Sequence, residues 1–276
     1  MLDTMTADWD FPVETQPIFD QHGEIIPGHK SIMRTDTNQV LGVHGSRYQM
    51  VSHGNIIEAM MDSIKSANIS RDYQEKIIVL DGGRKMRGEI LFPDLTVQPQ
   101  VGDYVQFRVS FFNSYDGSWS VQANAEGLRL WCLNGCTTPD AASRNKFKHT
   151  NNINIDGTAA KITNGLEGFL GSEQRWRDWM RVQVSDEMAE TFFKHTLAKS
   201  FTRQTQMKTN EKQLENLLGI WANEKRNLGG NKWALYNCMT YWATHTHDLK
   251  QPEIARRNRE DQIARAMTNR KFTELA

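Results

Sequence analysis

The most regular pattern in the chain is a strict alternation of apolar and polar residues over 104–113, repeated over 118–126. Successive side chains of a β-strand point to opposite faces, so each segment is predicted to be a strand with one apolar and one polar face. The apolar positions are Val105, Phe107, Val109 and Phe111 in the first segment and Trp119, Val121, Ala123 and Ala125 in the second. Because Tyr115-Asp116-Gly117 is a turn-forming sequence, the two strands are expected to pair in an antiparallel sheet.

Shorter apolar runs extend this sheet toward the N-terminus. Asp81-Gly82-Gly83 is a hairpin-turn sequence between two of these runs. Residues 93–102, which begin at a proline, are predicted to form a loop. The additional strands are predicted over 40–44, 47–51, 76–80 and 85–92.

One helix is predicted within this first half of the chain. Apolar residues recur at helical spacing over 55–67, and Ser52 stands where an N-cap is expected. Residues 1–30 are predicted to be irregular because Pro12, Pro17 and Pro27 interrupt any period.

The second half of the chain differs from the first in its composition and in the spacing of its apolar residues. Residues 140–165 are rich in Asn, Thr, Ser and Gly, which predicts a long loop with a short strand over 152–155. Helical periodicity then predicts helices over 172–182, 186–200, 210–227, 231–247 and 252–270. The fold class is therefore α+β.

This class implies an antiparallel meander with a packed helix, followed by a helical half. The predicted organisation is an irregular segment over 1–30, a sheet domain over 31–165 and a helical region over 166–276 packed on it.

Composition excludes several protein classes. The chain of 276 residues has 7 prolines and 19 glycines, too few for a fibrous or linker-dominated protein. No segment approaches the roughly 18 apolar residues of a membrane span, and the acidic N-terminus does not look like a signal peptide. Its three cysteines do not suggest a disulfide scaffold. These features favour a protein of a reducing cytosol that does not bind membranes.

Charge is distributed unevenly, although the total is zero. Residues 1–140 contain 11 basic and 18 acidic residues, whereas 141–276 contain 22 basic and 15 acidic residues. Such asymmetry suits a nucleic-acid or partner surface on the basic half. It equally suits internal complementarity or head-to-tail contacts between subunits, so a homo-oligomer is expected.

The polar face of the predicted sheet is one candidate binding surface. Cations on it would neutralise phosphates while amides and hydroxyls add hydrogen bonds. The alternative is a face that is simply solvated, which antiparallel sheets commonly have. The residues concerned are Lys85, Arg87, Gln106, Arg108, Ser120, Gln122 and Asn124.

A basic segment over 143–150 is the second candidate. Its cations Arg144, Lys146 and Lys148 occupy alternate positions, and His149 follows. In an extended loop they would all point the same way, as a backbone-tracking surface requires. Phe147 lies between them and is expected to anchor the loop to the core. The alternative is an exposed lysine-rich loop without a ligand.

Motifs for catalysis and metal binding are mostly absent. The chain has no phosphate loop, dinucleotide fingerprint, zincin helix or nucleophile elbow. Cys132, Cys136 and His149 fall short of a zinc ligand set. No cofactor, metal or catalytic residue is therefore assigned. A metal-dependent nuclease built from scattered acids such as Asp94, Asp103 and Asp116 remains an alternative.

Several short segments occur in an order that resembles a known family. They are GHKSIMRTD at 28–36, VLGV at 40–43, SRYQMV at 46–51, LRLWCLNGC at 128–136, KHT at 148–150 and NKWALYNCMTY at 231–241. This order resembles the phage and plasmid-like proteins grouped as domain of unknown function 932, over about 30–270. The resemblance implies a protein of a phage, prophage or plasmid that is expressed in a bacterial cytosol, and it carries over no catalytic residues.

The order of sheet then helices is also loosely similar to the Rad52-like single-strand annealing proteins of phage recombination, at the level of the fold alone. The leading hypothesis is a non-catalytic protein that binds single-stranded DNA and anneals strands during phage replication or recombination. The main alternative is an interaction factor that binds and inhibits a host defence protein or host enzyme.

Overall fold

The computed structural model describes residues 9–130, 134–136, 144–147, 158–201, 207–246 and 252–275. The chain divides into two compact units. Unit 1 comprises Met1–Asp94, Arg108–Ala125 and Ala142–Leu166, and unit 2 comprises Leu95–Phe107, Glu126–Ala141 and Glu167–Ala276. The units are therefore not successive segments of the chain, because central strands contribute residues to both.

A small antiparallel sheet lies in unit 1 and is formed by β1 (Val13–Phe19), β2 (Ile25–Arg34) and β3 (Gln39–Gly45), paired in that order. The prediction of irregular structure is wrong for most of 13–30, and no strand forms over 47–51. Strand β1 pairs with β2 alone, and an edge strand tolerates the missing N–H of Pro17. The partner of β3 is thus the upstream β2 and not the segment after it.

Helix α1 (His53–Ala67) confirms the helix predicted over 55–67. The Ser52 hydroxyl accepts a hydrogen bond from the backbone N–H of Asn55 at 3.0 Å, which is the predicted N-cap. The helix ends at Asn68, whose φ of 49° is left-handed and stops the helical path. Its apolar face is buried through Ile56, Ile57, Met60 and Ile64.

A larger antiparallel sheet contains six of the described strands. Its strands are paired in the order β4-β5-β6-β7-β8, and β9 also pairs with β7. The strands are β4 (Gln74–Leu80), β5 (Lys85–Gln100), β6 (Asp103–Ser114), β7 (Val121–Arg129), β8 (Asn134–Cys136) and β9 (Arg144–Phe147). A short 3-10 turn, Asp81–Gly83, joins β4 to β5 where the sequence predicts a hairpin turn. The antiparallel meander is therefore confirmed.

Strand β5 is longer than the sequence predicts, since it continues through Pro93 to Gln100. Its pairing with β4 ends at the Gln74–Leu91 pair. Pro93 therefore lies beyond the last residue that β4 pairs, where a missing N–H costs no hydrogen bond to that strand. The loop prediction is therefore wrong for 93–100, and only the turn at 101–102 agrees with it.

The apolar face of the sheet is core, as its alternation predicts. In unit 1, Met86, Ile90, Val109 and Phe111 are fully buried. Helix α2 (Thr158–Arg181) approaches this face closely, because a Cβ at Gly165 would clash with the Cβ of Ala125. A glycine is needed there for the helix to contact the strand.

Unit 2 contains most of the helices. After α2 come α3 (Asp186–His195), α4 (Glu211–Leu228), α5 (Lys232–His245), α6 (Pro252–Met267) and the short α7 (Arg270–Thr273). The helical second half is confirmed, although α2 begins well before 172. A hairpin of β10 (Lys199–Phe201) and β11 (Met207–Thr209), which the sequence does not predict, follows α3. Among the described residues no helix has both the length and the apolarity to cross a bilayer.

Helix α5 is the centre of unit 2, with nearly all of its residues buried. The Trp233 ring lies 5.2 Å from that of Trp176 in α2 and 5.5 Å from that of Tyr236. Trp176 is therefore a core residue. Together the antiparallel sheets and these helices make the protein an α+β fold.

Candidate nucleic-acid interface

The polar face of the large sheet lies on the side opposite to the core. Seven residues of this face, all within unit 1, are each less than 8% exposed. We define it by residues at alternate positions of three strands: Lys85, Arg87 and Glu89 of β5, Arg108 and Ser110 of β6, and Gln122 and Asn124 of β7. These seven side chains are therefore polar, but they are buried inside the protein.

Two arginines of this face share one carboxylate. The Nε and Nη2 atoms of Arg87 lie 2.9 and 2.7 Å from Oε1 of Glu89, and Nη1 of Arg108 lies 3.2 Å from the same oxygen. The side chains of Arg87 and Arg108 are 0% and 1% exposed. Because a buried guanidinium is stable only when paired and hydrogen-bonded, the pairing with Glu89 helps to stabilise both cations inside the fold.

Lys85 is held in a similar way at the start of β5. Its Nζ lies 2.8 Å from a carboxylate oxygen of Asp81 and 2.6 Å from one of Asp116. Burial alone would raise the pKa of Asp116, but hydrogen bonds from Lys85 and Ser118 outweigh it and place that pKa below its ordinary value. Lys85 therefore bridges the turn before β5 and the turn after β6.

The expectation that this face is open to solvent is wrong. Lys85, Arg87 and Arg108 are buried in ion pairs and cannot reach a strand on the protein surface, so they do not belong to the candidate interface. Gln106, in unit 2, is also buried. The sequence did carry a signal, since Glu89 stands two positions after Arg87 on the same strand face.

The basic segment is placed by the pairing of β9 with β7. The register pairs Arg144 with Asn124, Lys146 with Gln122 and Phe147 with Val121. Directly paired residues share a sheet face, so positions 144 and 146 lie on the polar face, next to the buried Gln122 and Asn124, and position 147 lies on the apolar face. The prediction of alternate cations on an extended segment, with Phe147 on the core side, agrees with this register. Lys148 and His149 lie outside the described residues.

A comparison with known families covers most of the chain. The model of one family, described as a domain of unknown function (DUF932), matches residues 40–269. The chain belongs to the DUF932 family. No curated protein and no solved structure matches it. The likeness of this DUF932 protein to single-strand annealing proteins consequently stays a prediction.

The last type of site to consider in this DUF932 chain is a metal-binding site. Among the residues that the structure describes, no three His, Cys, Asp or Glu side chains are grouped as a metal site would require. Cys132 and His149 of the incomplete zinc set lie outside those residues. Cys238 is buried in α5, where its Sγ donates to the carbonyl of Leu217 at 3.3 Å and burial raises the pKa of its thiol.

Proposed function

We propose that this DUF932 protein binds single-stranded DNA through β9 and the basic residues that follow it in the sequence, without catalysing a reaction. The observation that carries the proposal is the register of β9 on β7, which assigns Arg144 and Lys146 to the polar face of the sheet. Among the described strands β9 pairs with β7 alone, so these two positions lie at an edge of that face and not among its buried members on β5 and β6. Two fixed cations on one side of an extended segment can contact two phosphates of one backbone. A helix or an irregular turn would not align them in this way.

The spacing of these positions suits an extended single strand. Alternate residues of a β-strand are about 6.6–6.8 Å apart, which is comparable to the separation of neighbouring phosphates in a stretched nucleic-acid backbone. Contacts of this kind neutralise phosphates and leave the base edges free. Free base edges are what annealing to a second strand needs, so strand annealing is the activity we assign to this binding.

The charge of the chain supports the same proposal. The segment belongs to the half over 141–276, which carries 22 basic against 15 acidic residues. Excess positive charge draws a polyanion toward the protein from a distance and raises the rate of encounter.

The direct test is fluorescence anisotropy of a labelled oligonucleotide, measured over a series of salt concentrations. Binding through phosphates makes the logarithm of affinity fall linearly with the logarithm of salt, with a slope of about −0.7 per neutralised phosphate for single strands. Annealing is tested separately by the rate at which two complementary labelled strands pair. Absence of binding at low salt would end the proposal.

A second candidate, binding to a host protein, is favoured by one observation. The β1–β2 hairpin exposes apolar side chains at its tip, with Phe19 55% and Ile25 59% exposed and paired with each other across the strands. Exposed apolar pairs of this kind are typical of protein contact sites. A nuclease-treated pull-down from host lysate tests it, comparing the wild type with Phe19→Ser/Ile25→Ser. A stoichiometric protein partner lost in the variant would support this candidate over DNA binding.

Self-association is part of the proposal. The opposite net charges of the two halves suit head-to-tail contacts between copies, which close into rings or continue as filaments. Mass photometry at low and high salt, with and without an oligonucleotide, measures this. A chain that stays monomeric under all of these conditions contradicts the expected homo-oligomer.

A further inference from the structure

A cavity in unit 2 is lined by two cations and by no acid. It lies between the end of α3, the start of β10 and one face of α6, and its volume is about 330 Å³. The lining residues are Thr196, Leu197, Lys199, Gln262, Arg265, Ala266 and Asn269. This volume is at the lower end of the range for small-ligand sites, roughly 300–1,000 Å³.

The two cations of this cavity are available to a ligand. Within the part of the chain that the structure describes, neither the Lys199 ammonium nor the Arg265 guanidinium forms an ion pair, and both side chains are exposed. The acids nearest in sequence are already paired: Glu260 with Arg256 at 3.1 Å and Asp261 with Arg257 at 3.5 Å. No described carboxylate therefore competes for the two cations.

Two amides complete the set of donors. Gln262 makes no described side-chain hydrogen bond, and the side-chain oxygen of Asn269 accepts from the backbone N–H of Lys271, which leaves its NH₂ group available. Thr196 differs, since its hydroxyl donates to the carbonyl of Phe192 at 2.6 Å. Helical spacing explains the convergence of Gln262, Arg265 and Ala266, which lie three and four residues apart on α6, and Asn269 follows just beyond the end of that helix.

We propose that this cavity binds a phosphate group. Its ammonium, guanidinium and two amide donors match an anion with several acceptor oxygens, and arginine in particular suits phosphate geometry. A phosphomonoester carries a charge of about −1.5 to −2 at pH 7, which two cations balance. The proposal does not depend on β9, which contributes no residue to the cavity.

The experiment is isothermal titration of the full-length protein with inorganic phosphate at constant ionic strength. Lys199→Gln and Arg265→Gln should each weaken phosphate binding by roughly tenfold, since each removes a charge-assisted hydrogen bond, and the double variant should not bind measurably. Lys208→Gln is the matched control, because Lys208 is exposed on the same hairpin but alternates to the opposite face from Lys199. It should bind as the wild type does.

Two results overturn the proposal: no phosphate binding by the wild type at millimolar concentration, or equal binding by the wild type and the double variant. Because both substituted side chains are exposed, the double variant should fold normally, and an unchanged unfolding temperature confirms this.

Binding of thymidine oligonucleotides with and without a 5′-phosphate distinguishes the molecules from which the phosphate group could come. If the cavity takes a terminal phosphomonoester, the 5′-phosphate should raise affinity in the wild type and not in the double variant. If it takes a backbone phosphodiester, the double variant should weaken binding of both oligonucleotides alike. An effect on inorganic phosphate alone assigns the cavity to a free phosphate or a small phosphate ester. In each case the phosphate titration tests the cavity even if the β9 proposal fails.

Discussion

The imidazole of His53 and the side-chain amide of Asn113 form a hydrogen bond of 3.0 Å between two completely buried side chains. The Nε2 atom of the same imidazole lies 3.0 Å from the carbonyl oxygen of Gly83. Since a carbonyl only accepts, Nε2 carries the proton and Nδ1 accepts from the Asn113 NH₂ group. The neutral ring therefore links the first residue of α1 to β6 and to the turn before β5.

Stability should depend on the protonation of His53. Burial lowers its pKa from the ordinary 6.5 to about 4, with the Gly83 hydrogen bond opposing this in part. The unfolded chain thus takes up the proton first as pH falls. The stabilisation is complete above pH 6.5 and is lost progressively toward pH 4, by up to about 3 kcal/mol.

Denaturant unfolding of the wild type and of His53→Gln between pH 7 and pH 4 measures this contribution. The wild type should lose more stability than the variant over that interval. His22→Gln, at an exposed histidine, is the control and should follow the wild type. Parallel curves for the wild type and His53→Gln would contradict the assignment of a buried neutral ring.

The Glu89 carboxylate should matter to folding because it pairs with Arg87 and Arg108. Glu89→Gln leaves two buried guanidinium groups without the charge between them, so we expect a loss of about 3–5 kcal/mol in the free energy of unfolding. Glu190→Gln is the comparison, since it breaks an ion pair with Lys194 in which both side chains are 40% exposed or more. Exposed pairs contribute little. Equal effects of the two substitutions would show that the polar face is open to water.

Two glycines of α2 should respond in opposite directions to the same substitution. Gly165→Ala places a methyl group against Ala125 and should cost about 1–3 kcal/mol through overpacking. Gly171→Ala meets no atom within 4 Å and should stabilise the helix by about 1 kcal/mol or less, because alanine is the better helix former. Thermal unfolding of both variants measures this. A stabilising Gly165→Ala would contradict the close approach of α2 to the sheet.

Local signals in the sequence account for much of the fold. The alternation in β6 and β7 and the Ser52 cap depend on neighbouring residues alone, and each appears where it is predicted. The small sheet does not, because Pro17 looks like a strand breaker until the pairing shows that β1 is an edge strand. The start of α2 is not predicted, because glycines and asparagines, which are poor helix formers, precede residue 172.

The candidate site was harder to predict because burial is a long-range property. Arg87 and Arg108 alternate with apolar residues, as the residues of a solvated face would. Only the fold shows that Glu89 pairs with both and that the face is buried. Lys199 and Arg265 are 66 positions apart in the sequence, so no local pattern indicates that they line one cavity.

The central claim is that the cations of β9 bind single-stranded DNA, and it is tested by the affinity and salt slope of Arg144→Gln/Lys146→Gln. The matched control is Arg71→Gln/Lys76→Gln, which removes two exposed cations from the same unit, one of them on the opposite edge strand β4. The β9 variant should lose most of its affinity, with a slope smaller by about 1.4 for two phosphates, while the control keeps both values. Wild-type affinity and slope in a folded β9 variant would contradict the account.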